Sequence, residues 1–221
     1  MTEDQLEQQC LEWFAEGGWE ITHGPDLAPD GESPERTDYR QVLLLADLEA
    51  AVRRINPHLP QSAVEQAVAV ARKPESLDVV ISNRAFHRLL LDGVPVKYKH
   101  DDDKVIHDQA FLVDFGDLAA NRFRAINQFT IEGSKQLRRP DIVCFINGLP
   151  LAVLELKSPG AENVNVWDAF NQIQTYKDEV TDLFAYNEAA IISDGWIARV
   201  GSLTASQERY MPWRTLRNED D

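Results

Sequence analysis

The sequence predicts an α/β protein, a mixed central β-sheet flanked by helices, with an additional helical region toward the N-terminus. Helical spacing of apolar residues dominates the first 91 positions, and strand patterning dominates 94–157. One long helical segment at about 165–180 then separates those strands from two more. Strands and helices therefore do not alternate regularly, which points to a mixed rather than an all-parallel sheet.

The elements follow in order. Residues 3–16 place Leu6, Cys10, Leu11, Trp13 and Phe14 at helical spacing, with Thr2 as N-cap and Gly17-Gly18 as the stop. Residues 24–36, rich in Pro, Gly, Asp and Glu, read as a loop. A helix is expected at about 39–55, ended by Asn56-Pro57. Ser62 and Glu65 have capping-box spacing for a helix over about 63–72. Another covers 83–91, ended by Asp92-Gly93. VPVKY, AFLVDF and residues 123–131 read as strands, with a polar turn at 100–104. DIVCFI and LAVLELK flank Asn147-Gly148, a hairpin-turn dipeptide, and Leu149-Pro150 leaves the turn type open. AAIIS and WIARVGS form a second hairpin about Asp194-Gly195. The division expected is a single unit over 1–221, with a helical annex at about 39–91 and a core at about 94–210.

Twenty-two basic against 37 acidic residues give a net charge of -15. That excludes a basic nucleic-acid coat protein but not a nucleic-acid enzyme, whose site is local. The longest apolar stretches, such as 149–154, are too short to span a membrane, and MTEDQLEQQ lacks the apolar core of a signal peptide. Cys10 and Cys144 fit a reducing compartment, the cytoplasm, and no Cys/His pairing suggests zinc. Cys144 reads as a small core residue. His58, His87, His100 and His107 show no ligand spacing, and the five tryptophans are scattered and read as core.

Charge is uneven along the chain. Residues 1–38 hold eleven acids and one base, a balance of -10, which leaves -5 for 39–221. Within the latter, 122–139 holds Arg122, Arg124, Lys135, Arg138 and Arg139 against Glu132, a balance of +4. This run is either a solvated loop or a phosphate-facing rim beside a site.

The chemistry concentrates directly after it. Glu155 ends an apolar strand, where an unpaired carboxylate is costly to desolvate. Lys157 shares its face, because strand side chains alternate with period two. Folding the hairpin about Asn147-Gly148 sets Asp141 opposite a residue near 154. Two carboxylates and an ammonium thus converge, which suits Mg²⁺ and phosphodiester hydrolysis. A structural ion pair between Lys157 and either acid is the plainer alternative. The spacing alone is weak: Asp102-Asp103-Lys104 repeats it in a polar turn with no strand context. On the next helix Gln172 and Tyr176, at i and i+4, project from one face that could reach the same site.

These residues, Arg139-Pro140-Asp141, Glu155-Leu156-Lys157 and Gln172 with Tyr176, resemble the PD-(D/E)XK nuclease superfamily, in the branch with a Q-x-x-x-Y helix. The runs NRAFHRLL, INGLPLAVLELK, AFNQIQTYK and LFAYNEAAIISDG are similar to the N-terminal nuclease domain of the R subunit of type I restriction enzymes, and the likeness extends from TEDQLEQQCLEWF to RYMPWRT. The resemblance implies a restriction-endonuclease-like fold and a metal-dependent DNA endonuclease. It implies Mg²⁺ held by Asp141, Glu155 and the Leu156 carbonyl, Lys157 serving the attacking water, and Gln172 and Tyr176 supporting the site or contacting DNA. An acid on the first helix and a histidine after it join the metal in related nucleases, and the candidates are Glu7 and His23. A solvated helix face for Glu7 and a loop or strand-end histidine for His23 are the alternatives. The implied partners are DNA and the methylation and specificity subunits of the same complex. ATP and S-adenosylmethionine would belong only to the complete enzyme, because no G-x-x-x-x-G-K-[ST] loop is present and the family's subunit is several times longer. A non-catalytic nuclease-like module for DNA or subunit docking is the competing reading.

Overall fold

Thr2 starts the first helix. Its hydroxyl accepts the Gln5 N–H while the Gln5 side chain accepts the Thr2 N–H, a reciprocal cap that satisfies two otherwise unpaired donors. The computed structural model describes residues 2–99, 104–158, 160 and 164–213. The polar turn expected at 100–104 lies, except for Lys104, outside the described residues, as do Asp102 and Asp103 of the second acid-lysine pair.

The elements are α1 (Glu3–Glu16), β1 (Glu20–His23), α2 (Leu45–Ile55), α3 (Gln61–Ala71), α4 (Val79–Asp92), β2 (Val94–Lys99), β3 (Val105–Ala110), β4 (Phe123–Asn127), β5 (Ile131–Glu132), β6 (Leu137–Arg138), β7 (Ile142–Ile146), β8 (Leu149–Leu156), α5 (Val166–Glu179), α6 (Thr181–Phe184), β9 (Ala189–Ser193), β10 (Ala198–Gly201) and β11 (Met211–Pro212). Seven strands form one sheet in the order β1-β4-β7-β8-β9-β10-β11. The pairs β1–β4 and β8–β9 are parallel and the others antiparallel. The sheet is mixed, as the element order implies, and helices cover both faces. On one face α1 packs Leu6 and Leu11 over Ala125, Ile142, Cys144, Leu154 and Leu156. On the other, α5 and the helices α2–α4 close a larger core with Val143, Phe145, Leu149 and Val153. The architecture matches the restriction-endonuclease-like arrangement.

Several boundaries differ from the sequence expectation, each for a local reason. Residues 39–44 are not helical. Val42, Leu43 and Leu44 are buried as irregular chain, and the Leu44 N–H bonds the Gly148 carbonyl, so α2 begins only at Leu45. The Ser62–Glu65 capping box does not form; Pro60 precedes the first turn of α3, with no side-chain cap. Helix α4 starts earlier than expected because Asp78 caps the N–H groups of Val80 and Ile81. AFLVDF does not form a strand. Its backbone leaves β3 after Ala110, where the Asn56 side chain accepts the Phe111 N–H and donates to the Phe111 carbonyl, replacing a strand partner. The strand expected over 123–131 breaks at Gln128, whose φ is 54°.

The central hairpin is tight. Asn147 (φ 54°) and Gly148 (φ 79°) both adopt the left-handed conformation of a two-residue turn, so β8 starts at Leu149. A bulge between Cys144 and Phe145 absorbs the extra length and restores register, giving Ile142↔Leu154. Asn147 is fully buried. Its amide nitrogen donates to the Leu112 carbonyl and the Asn121 side chain, and its oxygen accepts from the Arg122 N–H and the Arg54 guanidinium. The turn thereby ties the sheet to the helical layer.

The basic run at 122–139 is a solvated loop only in part, because residues 134–137 and Arg139 are exposed while four of its five bases are paired with acids. Arg124 is buried and bonds Glu35 and Asp47, Arg122 pairs with Glu20 and Asp47, and Lys135 and Arg138 pair with Glu179. Part of the acidic N-terminal surplus is therefore consumed within the fold. The expectation for the tryptophans is also corrected. Trp19 and Trp167 are half-buried, but Trp13, Trp196 and Trp213 are exposed, Trp196 at 84%.

Candidate active site

The register of the central hairpin decides what meets at its open end. Ile142 pairs with Leu154, so Asp141, one residue outside β7, faces the Glu155 position on β8. Asp141 Oδ2 accepts the Leu156 N–H at 2.6 Å, which locks the carboxyl across the hairpin. Lys157 donates from Nζ to Glu155 Oε1 and to the Leu156 carbonyl, both at 2.8 Å. Lys157 is itself held in place, because its backbone N–H bonds the Ser193 carbonyl of the parallel neighbour β9. Asp141, Glu155 and Lys157 thus share one end of the sheet.

Their electrostatics are strained without a further cation. Asp141 and Glu155 are both buried. Burial first, and then the neighbouring Glu155 carboxylate, push the Asp141 pKa up to about 8. Burial also raises Glu155, against the opposing pull of Lys157. Burial would lower the Lys157 pKa, but Glu155, Glu3 and Asp141 together raise it, so its ammonium stays charged. Among the described residues, Glu155 Oε2 is buried without a hydrogen-bond partner.

Helix α1 contributes an acid that sequence reasoning missed. Glu3, on the first turn, places Oε1 3.9 Å from Lys157 Nζ. Glu3, Asp141 and Glu155 against Lys157 give three negative charges and one positive, a balance of -2 when all are ionised. The signal was present in the sequence, because Glu3 lies four residues before Glu7 on the same helix face. Glu7 is buried rather than solvated. Its two oxygens accept from Asn127 Nδ2 at 2.7 Å and Gln128 Nε2 at 2.6 Å, and Gln128 donates its backbone N–H to the Asp141 carbonyl. His23, at the end of β1, is exposed and sets Nδ1 3.2 Å from Asn127 Oδ1. Glu7 and His23 therefore meet through Asn127 beside the hairpin end. Among the described residues no group of three or more His, Cys, Asp and Glu side chains is arranged to hold a metal.

Helix α5 supplies the remaining pair. Asn165 caps it reciprocally with Asp168. Tyr176 is buried and donates from Oη to the Arg139 carbonyl at 3.2 Å, two residues before Asp141. Burial, and then Glu155, hold its hydroxyl far above the usual tyrosine range, and Gln172 one turn earlier lies close enough to offset part of that rise. Tyr176 and Gln172 therefore reach the Glu155 end of the sheet. Of the other histidines, His58 lies beside Asp108 and His87 beside Glu188, both remote from this sheet end in sequence and pairing.

The donor set is chemically suited to a hard divalent cation: two buried carboxylates, an adjacent carbonyl, an unpartnered carboxylate oxygen and a surplus of two negative charges.

Comparison with known proteins gives the lineage. A family model described as "Type I restriction enzyme R protein N terminus" matches residues 1–209. The chain belongs to this family. It is 44% identical over 217 residues to the type I restriction enzyme HindI endonuclease subunit of Haemophilus influenzae, covering 98% of this chain and 20% of that protein. It is 30% identical over 219 residues to the putative type I restriction enzyme MjaIXP endonuclease subunit of Methanocaldococcus jannaschii, covering 98% of this chain and 21% of that protein. A segment is 32% identical over 131 residues to the type I restriction enzyme EcoprrI endonuclease subunit of Escherichia coli, covering 53% of this chain and 41% of that protein. The chain spans about a fifth of the length of the first two relatives. No helix among the described residues is long and apolar enough to cross a membrane.

Proposed function

We propose that this chain is the endonuclease portion of a type I restriction enzyme R subunit, hydrolysing phosphodiester bonds in unmodified foreign DNA with Mg²⁺. The observation that carries the reading is the convergence of buried Asp141 and Glu155 with Lys157 at one hairpin end. Membership of the R-protein family and relatives named endonuclease subunits support it.

Asp141, Glu155 and the Leu156 carbonyl would hold the ion. Bound there, Mg²⁺ supplies Lewis-acid stabilisation of charge on the phosphate. The protein's own residues do the rest. The Leu156 N–H orients the Asp141 carboxylate. Lys157, kept protonated by its acidic neighbours, carries positive charge to the phosphate and a hydrogen-bond donor to the attacking water. Tyr176 braces the chain before Asp141 through the Arg139 carbonyl, and Gln172 extends that face toward DNA. Glu7 fixes the Asn127–Gln128 corner against the Asp141 backbone, and His23 completes that corner. ATP, S-adenosylmethionine and the methylation and specificity subunits belong to the complete cytoplasmic enzyme, of which this chain is the cutting part.

The test is cleavage of unmodified DNA by the complete restriction complex carrying Asp141→Ala, Glu155→Ala or Lys157→Ala. Each variant is expected to lower cleavage by at least about a hundredfold, with the complex still assembled. Undiminished cleavage in all three makes the chain a docking module instead.

A further inference from the structure

One base of the run ahead of the site is left over. Arg122, Arg124, Lys135 and Arg138 each meet an acid. Arg139 is exposed, and among the described residues its guanidinium has no hydrogen-bond or ion-pair partner. A solvated arginine is ordinary in itself, but the backbone of this one is fixed at the site. The Arg139 carbonyl accepts the Tyr176 hydroxyl at 3.2 Å, and that hydroxyl is near enough to Glu155 for burial and then the carboxylate to raise its pKa. Pro140 is buried and holds Arg139 to extended backbone. Asp141 follows, two residues away and so within about 7 Å along the chain.

The strand registers place its surroundings. His23 pairs with Asn127, Asn127 with Ile142, and Ile142 with Leu154. One end of the sheet therefore carries the chain leaving β1, the corner after β4, Arg139 to Asp141 before β7, and Lys157 after β8. The Arg139 side chain stands on the side of the chain leaving β1. There the Tyr39 hydroxyl, whose pKa its bond to Asp30 raises most, is pulled back down by Arg36 and Arg139. Arg36 is buried and donates to the Thr130 and Gln41 carbonyls, so it does not reach a ligand. Lys157 is held by Glu155. Arg139 is thus the base at this end that is both open to water and uncommitted.

We propose that Arg139 binds a backbone phosphate of DNA next to the one held at the Asp141–Glu155–Lys157 site, and so sets the position of the strand over that site. The inference rests on the nuclease reading and adds to it a substrate contact. Each DNA strand carries one phosphate per about 3.4 Å of helix axis, so neighbouring phosphates fall within the span between Arg139 and Asp141. A guanidinium takes two phosphate oxygens at once and reads no base. It also offsets the repulsion that Glu3, Asp141 and Glu155 present to a polyanion.

The experiment measures the affinity of short fluorescent DNA duplexes of unrelated sequence for the 221-residue chain, across a range of salt and without divalent metal so that no cleavage intervenes. Losing one phosphate contact lowers the slope of log affinity against log salt by about 0.9. Arg139→Ala is therefore expected to weaken binding about 15-fold at about 50 mM salt and about fourfold at about 200 mM, equally for every sequence. Arg139→Lys keeps the charge and is expected to keep the parent slope. Arg53→Ala removes the same charge elsewhere, beside Arg54, which bonds Asn147 in the turn at the other end of the hairpin, and should leave the slope unchanged. The Arg139 guanidinium has no partner to lose, so its variants should melt with the parent. Parent affinity and slope in Arg139→Ala overturn the proposal while leaving the cleavage test of Asp141, Glu155 and Lys157 standing. An equal loss in Arg53→Ala makes the effect one of net charge, and a loss that differs between sequences makes Arg139 a base contact; either overturns the phosphate role. No measurable DNA binding by the parent chain also overturns it, and cleavage by the complete complex then decides the nuclease reading separately.

Discussion

At the scale of single residues, the decisive feature is a pair of buried carboxyls that do not share enough positive charge. The folded-state pKa of Asp141 is pushed up from the ordinary carboxylate value to about 8. A raised acid binds its proton more tightly in the folded state, so the stability it contributes is complete below about pH 4 and is lost as pH rises through about 8. Metal-free protein should therefore lose stability over that window, and Asp141→Asn should flatten the loss in a series of thermal melts across pH. A divalent ion competes with the same proton, so Mg²⁺ or Mn²⁺ affinity should rise with pH up to about 8 and level off above it, as titration calorimetry can read. An affinity that does not vary from pH 6 to 8 would mean that Asp141 is not a ligand. The Asp141–Glu155–Lys157 trio was legible in the sequence because period-two alternation and a turn dipeptide set it out. The surroundings were not. Glu7 reads as one more acid on an acidic helix, and only the fold reveals that the amides of Asn127 and Gln128, some 120 positions away, bury it. Glu3 was overlooked because a first-turn glutamate is the ordinary choice at a helix start.

At the scale of elements, the β7–β8 hairpin carries the site, and its turn carries the hairpin. Asn147-Gly148 announced that turn, but its tightness was not legible. The bulge at Cys144 and Phe145 answers to packing on both faces, which a local pattern does not encode. Gly148 combines a φ of 79° with a close approach: a Cβ there would fall 2.3 Å from the Leu44 carbonyl. Gly148→Ala should cost about 2 kcal/mol or more in chemical denaturation and reduce cleavage by shifting the register that aligns Asp141 with Glu155. A loss below about 0.5 kcal/mol would show that the helical layer does not grip this turn. Helix starts failed similarly. The starts of α2 and α4 are set by hydrogen-bond partners rather than by apolar spacing: the Leu44 N–H finds the Gly148 carbonyl, and the Val80 and Ile81 N–H groups find the Asp78 side chain.

At the scale of the whole molecule, the charge distribution organises the fold before it touches a ligand. The +4 run ahead of Asp141 reads in the sequence as either a solvated loop or a rim for phosphates. Four of its five bases are instead occupied by acids drawn from distant segments, and Arg124 is buried between Glu35 and Asp47. Sequence arithmetic counts charges but not pairings, which is why the sum misled. Arg124→Ala leaves Asp47 buried without that partner and should destabilise the protein by about 3–5 kcal/mol. A chain at -15 whose basic run is largely consumed should bind DNA weakly. Raising salt from 50 to 200 mM should weaken it about tenfold for two phosphate contacts, and tight binding that persists in high salt would contradict this. On the proposed function, delivery of DNA would fall to the other parts of a restriction complex.

The central claim is that Asp141 and Glu155 form a metal site. Crystals of the chain soaked in millimolar Mn²⁺ and measured at the manganese absorption edge test it most directly. The account predicts an anomalous peak between the two carboxylates and against the Leu156 carbonyl, abolished in Asp141→Ala. A fully diffracting crystal with no peak there at millimolar Mn²⁺ would contradict it.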